Sequence, residues 1–314
     1  MKIILSVQEM DQSFQKMIIK LNEYAEVIVT DLENYDLTDC DVFIGKKLKE
    51  EKLINANNLK VVFAYKTGVD DFPLEALAEK NIKLINSHAD SDIIAEYAFG
   101  LSIALVNRIN EFDLNLREGI WYDNDNMYWK SFFEMKVGLF GYGHIGKAIH
   151  NILKTNHVKT YTIDRGHNYQ DIELVSSLEE LIKISDIIIC SVPKTKDTNN
   201  VFNEETFKLM KGKFIVNVGR SNIISQKDLY NNLLNEYLGG AAIDTWHEKP
   251  KNKRTKLMPS SYPFEKLRNI VLSPHAAMRV SNGHERYVSD VTRMVINYIE
   301  KQELINIVDL QKGY

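Results

Sequence analysis

Cysteine is scarce in this sequence, as are long apolar runs and any large excess of charge of one sign. The 314 residues include 2 cysteines, Cys40 and Cys190, which stand outside any Cys-x-x-Cys or Cys/His spacing. Neither a disulfide framework nor a zinc site is therefore predicted. Cys190 ends the apolar run SDIIIC, which predicts a buried core position for it.

The balance of charge and the N-terminal segment exclude further classes of protein. Lysine and arginine total 39 and aspartate and glutamate 43, a formal net charge of −4, so nothing favours a nucleic acid or an anionic membrane as partner. The run MKIILSVQEM meets polar residues from Gln8 onward, which makes it too short for a signal peptide or a membrane span. We expect a cytoplasmic protein.

The apolar segments predict two α/β domains, in line with a prior of roughly 150 residues per domain. In the first hundred residues, short apolar segments alternate with polar helices and predict parallel strands at KIILSV, EVIVT, DVFIG, LKVVFAY and IKLIN. The alternation restarts at Met135 and predicts six more strands: VGLFG, TYTID, DIIICSV, FIVNVG, GGAAID and IVLSP. Six strands in one run fit a doubly wound sheet.

Two helical segments are predicted to connect these domains. Residues 91–119 predict one long helix that leaves the first domain and enters the second, with an apolar face formed by Ile94, Ala98, Leu101, Ile103, Leu105 and Ile109. The tail from Gly283 predicts a helix that returns to the first domain. We assign residues 1–100 with 280–314 to one domain and 101–279 to the other, with a ligand cleft expected between them.

A glycine-rich turn is the most informative motif of the chain. Residues 137–149 read VGLFGYGHIGKAI. Gly141 permits a tight turn out of the strand, Gly143 lets the backbone approach a pyrophosphate, and Gly146 lets the following helix pack on the sheet. The phosphates then lie at the positive N-terminus of that helix. This pattern predicts dinucleotide binding.

An acid follows the next predicted strand at the spacing of a ribose-binding residue. Asp164 stands eighteen positions beyond Gly146, at the end of TYTID. A carboxylate there accepts hydrogen bonds from both hydroxyls of an unphosphorylated ribose and repels a 2′-phosphate, which favours NAD over NADP. Arg165 weakens this preference because a guanidinium pairs with a phosphate.

Seven segments resemble, in order, the motifs of the D-isomer-specific 2-hydroxyacid dehydrogenase family. They are KTGVDDF at 66–72, IIAEYAFGL at 93–101, VGLFGYGHIG at 137–146, SVPKTKDT at 191–198, VNVGRS at 216–221, AAIDTW at 241–246 and LSPHAA at 272–277. The resemblance covers essentially the whole chain. It implies a Rossmann-type doubly wound parallel sheet inserted into a smaller flavodoxin-like α/β substrate domain. It also implies NAD as cofactor, a small 2-keto or 2-hydroxy acid as substrate, and a homodimer.

The resemblance also assigns roles in substrate binding and catalysis. Arg220 matches the family's arginine, whose planar fork holds the substrate carboxylate. His275 matches the histidine that exchanges a proton with the substrate oxygen. One turn resembles the family's carboxylate cradle: Lys66, Thr67, Gly68 and Val69. The alternative for this turn is a plain strand-to-helix turn that uses glycine for a positive φ.

Further residues match the cofactor-binding positions of the family. Besides the three glycines and Asp164, they are His144, Ile145, Arg165, Ser191, Val192, Pro193, Val218, Gly219 and Asp244. The segment 191–193 is expected to line the adenosine pocket, and Asp244 to face the nicotinamide side of the cofactor. The side chain of His144 is expected to point away from the phosphates.

The sequence departs from the family beside the histidine. The family places a glutamate five residues after the aspartate, where it raises the pKa of the histidine and fixes its tautomer. Here Lys249 holds that position and Glu248 precedes it. Either the loop shifts so that Glu248 reaches His275, or the dyad lacks its carboxylate, as in the formate dehydrogenases, which have an amide there. Without the acid, reduction should fade at a lower pH than usual.

Two other departures prevent the transfer of a substrate from the family. Ser221 replaces the glycine that usually follows the arginine, and the loop at 249–263 is longer and more basic than in common members. The leading hypothesis is an NAD-dependent dehydrogenase of a small 2-keto acid. A nicotinamide-sensing protein with little turnover is the second hypothesis, and a dehydrogenase of another small anion such as formate or phosphite is the third.

Overall fold

The computed structural model describes residues 1–31, 33–121, 128–166, 169, 171–250 and 255–314. These residues form two compact units. Unit 1 comprises Met1–Asp90 and Val280–Tyr314, and unit 2 comprises Ser91–Arg279. None of the helices within the described ranges has both the length and the apolar character needed to cross a membrane. Parts of two loops noted in the sequence, 122–127 and 251–254, lie outside the described residues.

Unit 1 is built on a five-stranded parallel sheet. Its strands are β1 (Lys2–Ser6), β2 (Glu26–Thr30), β3 (Val42–Gly45), β4 (Val61–Ala64) and β5 (Lys83–Asn86). They are arranged in the order β2-β1-β3-β4-β5, which is the flavodoxin-like order. The helices of this unit are α1 (Gln12–Leu21), α2 (Leu74–Glu79) and the last helix of the chain, α9 (Gly283–Lys301). A short 3-10 helix spans Glu50–Leu53.

The last helix completes the core of unit 1. One face of α9 is buried against apolar residues of β1, β3 and β4, and this face comprises Tyr287, Val288, Val291, Met294, Val295 and Tyr298. Spacings of three and four residues place these side chains on one side of the helix. The tail therefore returns to the first sheet, as the sequence pattern predicted.

Unit 2 is built on a seven-stranded parallel sheet. Its strands are β6 (Val137–Phe140), β7 (Thr160–Ile163), β8 (Glu173–Val175), β9 (Ile187–Cys190), β10 (Phe214–Asn217), β11 (Gly240–Ile243) and β12 (Ile270–Leu272). Their order is β12-β11-β10-β9-β6-β7-β8. The order reverses between β6 and β9, so the prediction of a Rossmann-type doubly wound sheet is confirmed. Ligands of such sheets bind at the carboxyl ends of the strands on either side of this reversal.

The first two helices of unit 2 precede its strands in the sequence, and the others lie between strands. These helices are α3 (Ser91–Val106), α4 (Ile109–Arg117), α5 (His144–Thr155), α6 (Leu178–Ile184), α7 (Glu204–Phe207) and α8 (Gln226–Leu234), with short 3-10 helices at Phe132–Glu134, Ser221–Ile223 and Phe264–Lys266. Buried strands such as IIIC in β9 and FIVN in β10 carry apolar residues on both faces, as expected of a covered parallel sheet. Cys190 is fully buried, which confirms its predicted core position, and burial raises the pKa of its thiol.

Two details of the predicted elements were wrong. The sequence predicted six strands in this sheet, but β8 is a seventh: it has three residues at the sheet edge and exposes Glu173 and Leu174, so it carries no alternating pattern. The single helix predicted for 91–119 is divided at Arg108, whose φ of 54° is left-handed and incompatible with a continuous α-helix. As a result, Ile109 is 50% exposed and does not extend the apolar face of α3.

The predicted domain boundary at residue 100 falls inside α3. The two units divide instead between Asp90 and Ser91, at the start of that helix. The whole of α3 therefore belongs to unit 2, where its residues Ala95, Ala98 and others pack into the same apolar core as β6 and β10.

A buried carboxylate joins the ends of β11 and β12. Asp244 directly follows β11 and is 0% exposed. Its Oδ1 accepts hydrogen bonds from the Ser273 hydroxyl and from the Ala276 N–H, the latter at 2.7 Å, and its Oδ2 accepts from the Ala277 N–H at 3.2 Å. Its main-chain carbonyl accepts from the His275 N–H at 2.9 Å. A single residue thus binds four groups of the loop after β12.

These four hydrogen bonds, the Asp244 clamp, hold His275 in an uncommon conformation. The φ of His275 is 55°, in the left-handed region that residues other than glycine rarely adopt. A left-handed residue turns the neighbouring N–H groups of Ala276 and Ala277 toward one point, where an anion stabilises them. Ser273 is fixed from two other directions, because its hydroxyl lies 3.0 Å from the Tyr97 hydroxyl and its carbonyl accepts from Trp246 Nε1 at 2.9 Å.

We predict that Asp244→Ala lowers the free energy of unfolding by about 2 to 4 kcal/mol, because it leaves buried donors without an acceptor. Asp186→Ala is the matched control. Asp186 is exposed and accepts one backbone hydrogen bond at 2.9 Å from the Lys136 N–H, so a loss below about 1 kcal/mol is expected. Urea denaturation of both variants measures the difference. Equal losses would show that the Asp244 clamp does not hold this loop.

Candidate functional site

The predicted site residues of unit 2 lie at one edge of its sheet. Because all seven strands are parallel, their carboxyl ends meet at that edge. The residues that follow β6, β7, β9, β10, β11 and β12 include, in that order, Gly141, Asp164, Ser191, Arg220, Asp244 and His275. The fold therefore brings together residues that are up to 134 positions apart in the sequence.

The geometry of the three glycines of the turn after β6 is compatible with the roles predicted for them. Gly141 has a φ of 109°, and a Cβ there would lie 2.9 Å from Val192 Cγ1. At Gly146 a Cβ would lie 2.1 Å from the carbonyl oxygen of Gly141, so only glycine lets α5 approach the strand this closely. Gly143 is exposed, and no atom lies within 4 Å of the place of a Cβ.

The N-terminus of α5 has the properties of a phosphate site. Gly143 is its N-cap and, having no side chain, does not itself cap the first N–H groups of the helix. These donors and the helix dipole favour an anion, and the open space over Gly143 lets it approach the backbone. The described residues therefore fit the diphosphate of a dinucleotide. Of the next two residues, His144 is exposed and Ile145 packs against the core of unit 2.

The segment after β9 packs directly on this turn. The Ser191 hydroxyl donates to the carbonyl oxygen of Gly141 at 3.2 Å. The carbonyl of Pro193 accepts from the Thr198 hydroxyl at 2.8 Å, which closes the loop that follows. Ser191, Val192 and Pro193 thus lie at the reversal of strand order, where an adenosine pocket was predicted for them.

Asp164 lies at the carboxyl end of β7, beside the glycine turn. Its side chain is exposed, and Oδ1 accepts from the Gly166 N–H at 2.8 Å. The second carboxylate oxygen carries no hydrogen bond within the described ranges, so the carboxylate retains acceptor capacity for a hydroxyl pair. Arg165 is also exposed. This geometry is compatible with the predicted ribose contact, which stays a prediction.

The turn after β10 positions Arg220. The buried side chain of Asn217 spans it: Oδ1 accepts from the Gly219 N–H at 3.0 Å, and Nδ2 donates to the Arg220 carbonyl at 3.0 Å. Val218 is buried between them. The guanidinium of Arg220 donates to the carbonyl of Gly219 at 3.3 Å and is half-buried. Asn217 lies within a motif noted in the sequence, but its role in fixing this turn was not predicted.

The imidazole of His275 lies among positive charges. Burial lowers its pKa below the ordinary value, and the positive charge of Lys249 lowers it further. Arg220 and Arg279 act in the same direction, whereas the carboxylate of Asp244 opposes them. The structure therefore brings Arg220 and His275 close enough to interact electrostatically. It also favours the neutral form of the histidine.

The charge of Glu248 acts elsewhere. It raises the pKa of His247, the neighbouring residue, against the lowering by burial. Lys249, and not Glu248, is the residue of this loop whose charge acts on His275. The role predicted for Glu248 beside His275 thus receives no support from the structure.

Asp244 also differs from its predicted surroundings. The carboxylate was predicted to face the nicotinamide side of a cofactor, but it is fully buried and occupied by hydrogen bonds from the His275 loop. The observed hydrogen bonds of Asp244 are made to the loop that carries His275. The contact of Asp244 with a cofactor stays a prediction. The other residues of this network, Ser273, Tyr97 and Trp246, could not be identified from sequence because their contacts are long-range.

The turn predicted as a carboxylate cradle lies in unit 1. Lys66 is paired there with Asp71, so its charge is partly compensated. The φ of Gly68 is not positive, which removes the conformational reason for a glycine. Val69 is buried in the core. The predicted binding of a carboxylate by this turn stays a prediction.

A hydrogen-bond network fixes this turn within unit 1. The Thr67 hydroxyl lies 2.9 Å from Asp90 Oδ1 and 3.1 Å from the hydroxyl of Tyr287, and Asn86 Nδ2 donates to the Thr67 carbonyl at 2.7 Å. Asp90 also accepts from the Tyr287 hydroxyl. Both Asp90 and Tyr287 are buried, so the turn is rigidly attached to the end of β5 and to α9.

Two curated relatives share similarity with most of the chain. A glyoxylate reductase of Thermofilum pendens is 29% identical over 282 residues, which cover 86% of this chain and 80% of the relative. A D-3-phosphoglycerate dehydrogenase of Methanocaldococcus jannaschii is 27% identical over 305 residues, which cover 92% of this chain but 56% of that protein.

A solved structure and a family model agree with the fold. The structure of D-2-hydroxyisocaproate dehydrogenase superimposes with a TM-score of 0.80 at 23% identity, covering 98% of this chain and 99% of the other. The family model described as D-isomer specific 2-hydroxyacid dehydrogenase, NAD binding domain, matches residues 99–277, which is most of unit 2. The chain therefore belongs to the D-isomer specific 2-hydroxyacid dehydrogenase family, with its NAD-binding domain in unit 2.

Proposed function

We propose that this protein reduces a small 2-keto acid to the D-2-hydroxy acid with NADH, and catalyses the reverse reaction with NAD. The observation that carries the proposal is the proximity of Arg220 and His275 at the sheet edge that also bears the glycine turn. The similarity to a glyoxylate reductase supports a small 2-keto acid as the substrate class.

The two side chains have complementary roles in the proposed reaction. The guanidinium of Arg220 binds the substrate carboxylate through paired N–H groups and withdraws electron density from the adjacent carbonyl. The imidazolium of His275 donates a proton to the carbonyl oxygen, and the neutral imidazole accepts it in the reverse direction. Bound nicotinamide supplies or accepts the hydride. Hydrogen bonds from Asp244 and Asn217 hold the backbone at or beside both residues in place.

We predict that His275→Ala lowers kcat for NADH-dependent reduction by about 10²- to 10⁴-fold, the usual contribution of a general acid. Arg220→Ala is predicted to lower kcat/KM by about 10- to 150-fold, the equivalent of one charge-assisted interaction. Steady-state oxidation of NADH with a panel of 2-keto acids, including glyoxylate and pyruvate, measures both.

His157→Asn is the matched control, because His157 follows α5, has a φ of 57°, and asparagine tolerates that conformation. Its kinetics should equal those of the unsubstituted protein. Activity that survives His275→Ala and Arg220→Ala would remove both assignments. Tight NADH binding without turnover of any 2-keto acid would favour the nicotinamide-sensing alternative. NAD-dependent oxidation of formate or phosphite would favour the small-anion alternative.

We further propose that Asp164 sets a preference for NADH over NADPH, since its exposed carboxylate repels a 2′-phosphate. Asp164→Ala is predicted to raise the affinity for NADPH relative to NADH by about tenfold, or 1.4 kcal/mol. Dissociation constants follow from nucleotide fluorescence. Asp186→Ala removes an equally exposed carboxylate at the opposite edge of the sheet and should leave the ratio unchanged. An unchanged ratio in Asp164→Ala would exclude this role.

The homodimer implied by the resemblance is proposed for the same protein. Large apolar side chains of unit 2 are exposed on α4 and in the segment between α4 and β6, which is compatible with an interface. They include Leu114, Leu116, Trp121, Trp129 and Phe133, with exposed fractions of 60%, 51%, 73%, 55% and 49%.

A further inference from the structure

Lys249 lies on a loop whose start is held in place by two contacts. The buried indole of Trp246 donates through Nε1 to the carbonyl of Ser273 at 2.9 Å. The N–H of Glu248 donates to the carbonyl of Pro259 at 3.3 Å. Lys249 follows Glu248 directly and is exposed. The backbone of this lysine is therefore positioned near the end of β12 and not carried on a free loop.

Three residues with cationic or protonatable side chains lie on segments that follow neighbouring strands. The last residues of β10, β11 and β12 pair with one another across the sheet. The segments that carry Arg220, Lys249 and His275 therefore begin side by side. The charge of Lys249 reaches the imidazole and acts on it more strongly than that of Arg220.

The positive charge at this edge exceeds the negative charge that opposes it. The carboxylate of Asp244 opposes the cations at His275, but its oxygens already accept three hydrogen bonds from the His275 loop. Lys249 and Arg279 make no ion pair with any residue that the structure describes. A substrate with one carboxylate, bound by Arg220, leaves these two cations without a counter-charge.

We propose that Lys249 binds a second anionic group of the substrate, so that the preferred substrates are 2-keto acids carrying a further carboxylate or phosphate. This inference rests on the proposed function, because it takes Arg220 as the site of the first carboxylate. An ammonium group suits the task, since it is a compact charge with three donors and no fixed geometry, and accepts either anion.

Equilibrium binding to the NADH complex tests the proposal without relying on turnover. D-2-hydroxy acids bind to this complex but cannot be oxidised by it. D-malate and D-2-hydroxybutyrate have the same number of carbons and differ by one carboxylate, and 3-phospho-D-glycerate and D-glycerate differ by one phosphate. Quenching of NADH fluorescence gives the four dissociation constants, and the two pairs distinguish a carboxylate from a phosphate as the second anion.

We predict that at least one dianion binds about tenfold more tightly than its monoanionic counterpart. Lys249→Met is predicted to remove most of this preference for the dianion, and Lys249→Arg to retain it. Lys249→Glu is predicted to reverse it, so that the monoanion binds more tightly. Lys256→Met is the matched control: Lys256 is exposed on the same loop, and its charge is not among those acting on His275. Its ratio should equal that of the unsubstituted protein.

The outcomes separate this inference from the proposed function. Binding of both members of a pair with a ratio unchanged by Lys249→Met overturns the subsite and leaves the dehydrogenase proposal intact. An equal loss of the ratio in Lys256→Met shows a diffuse field of the basic loop and also overturns it. Tight NADH binding without binding of any hydroxy acid overturns both. Thermal melting and NADH affinity unchanged in Lys249→Met establish that the variant is folded.

Discussion

The arrangement of the site in unit 2 depends on the hydrogen bonds that the buried carboxylate of Asp244 accepts. A buried charge is costly unless it is fully hydrogen-bonded, and here the donors come from the loop that carries His275. The same contacts impose a left-handed conformation on the histidine. The hydrogen bonds that satisfy the buried carboxylate therefore also fix the backbone of the loop that carries His275.

The clamp has an electrostatic consequence for the imidazole. Since the oxygens of Asp244 are occupied by the loop, the carboxylate only partly offsets the cations Lys249, Arg220 and Arg279. The histidine is thus favoured in its neutral form, which is a weaker base than an ordinary imidazole and is protonated only at lower pH. In the proposed reaction, an anionic substrate bound beside His275 would reverse part of this effect, because its negative charge favours the imidazolium. The proposal thus couples substrate binding to protonation of His275.

The features that sequence could predict are those with local causes. The glycine turn follows from two local demands, the positive φ of Gly141 and the close approach of Gly146 to the carbonyl oxygen of Gly141. The long apolar strands and the return of α9 follow from hydrophobic periodicity. The division of the predicted helix depends on the left-handed conformation of Arg108. Strand β8 consists of three residues at the sheet edge. Neither feature leaves a periodic signal in the sequence.

The features that sequence could not predict depend on long-range contacts. Asp244 was recognised by its position, but its hydrogen bonds join residues 29 to 33 positions apart, and no spacing rule contains them. Asn217 stands inside a recognised motif, yet its function appears only when both ends of the turn are seen. Which of Glu248 and Lys249 acts electrostatically on His275 depends on the course of their loop, and the sequence left both possibilities open.

Titration of His275 in the unliganded protein tests the central electrostatic claim most directly. The protein is labelled with ¹⁵N in its histidine rings, and the signal of His275 is identified by its loss in His275→Gln. We predict a midpoint below the ordinary histidine value of about 6.5. A midpoint at or above that value would contradict the view that burial and neighbouring cations govern this imidazole.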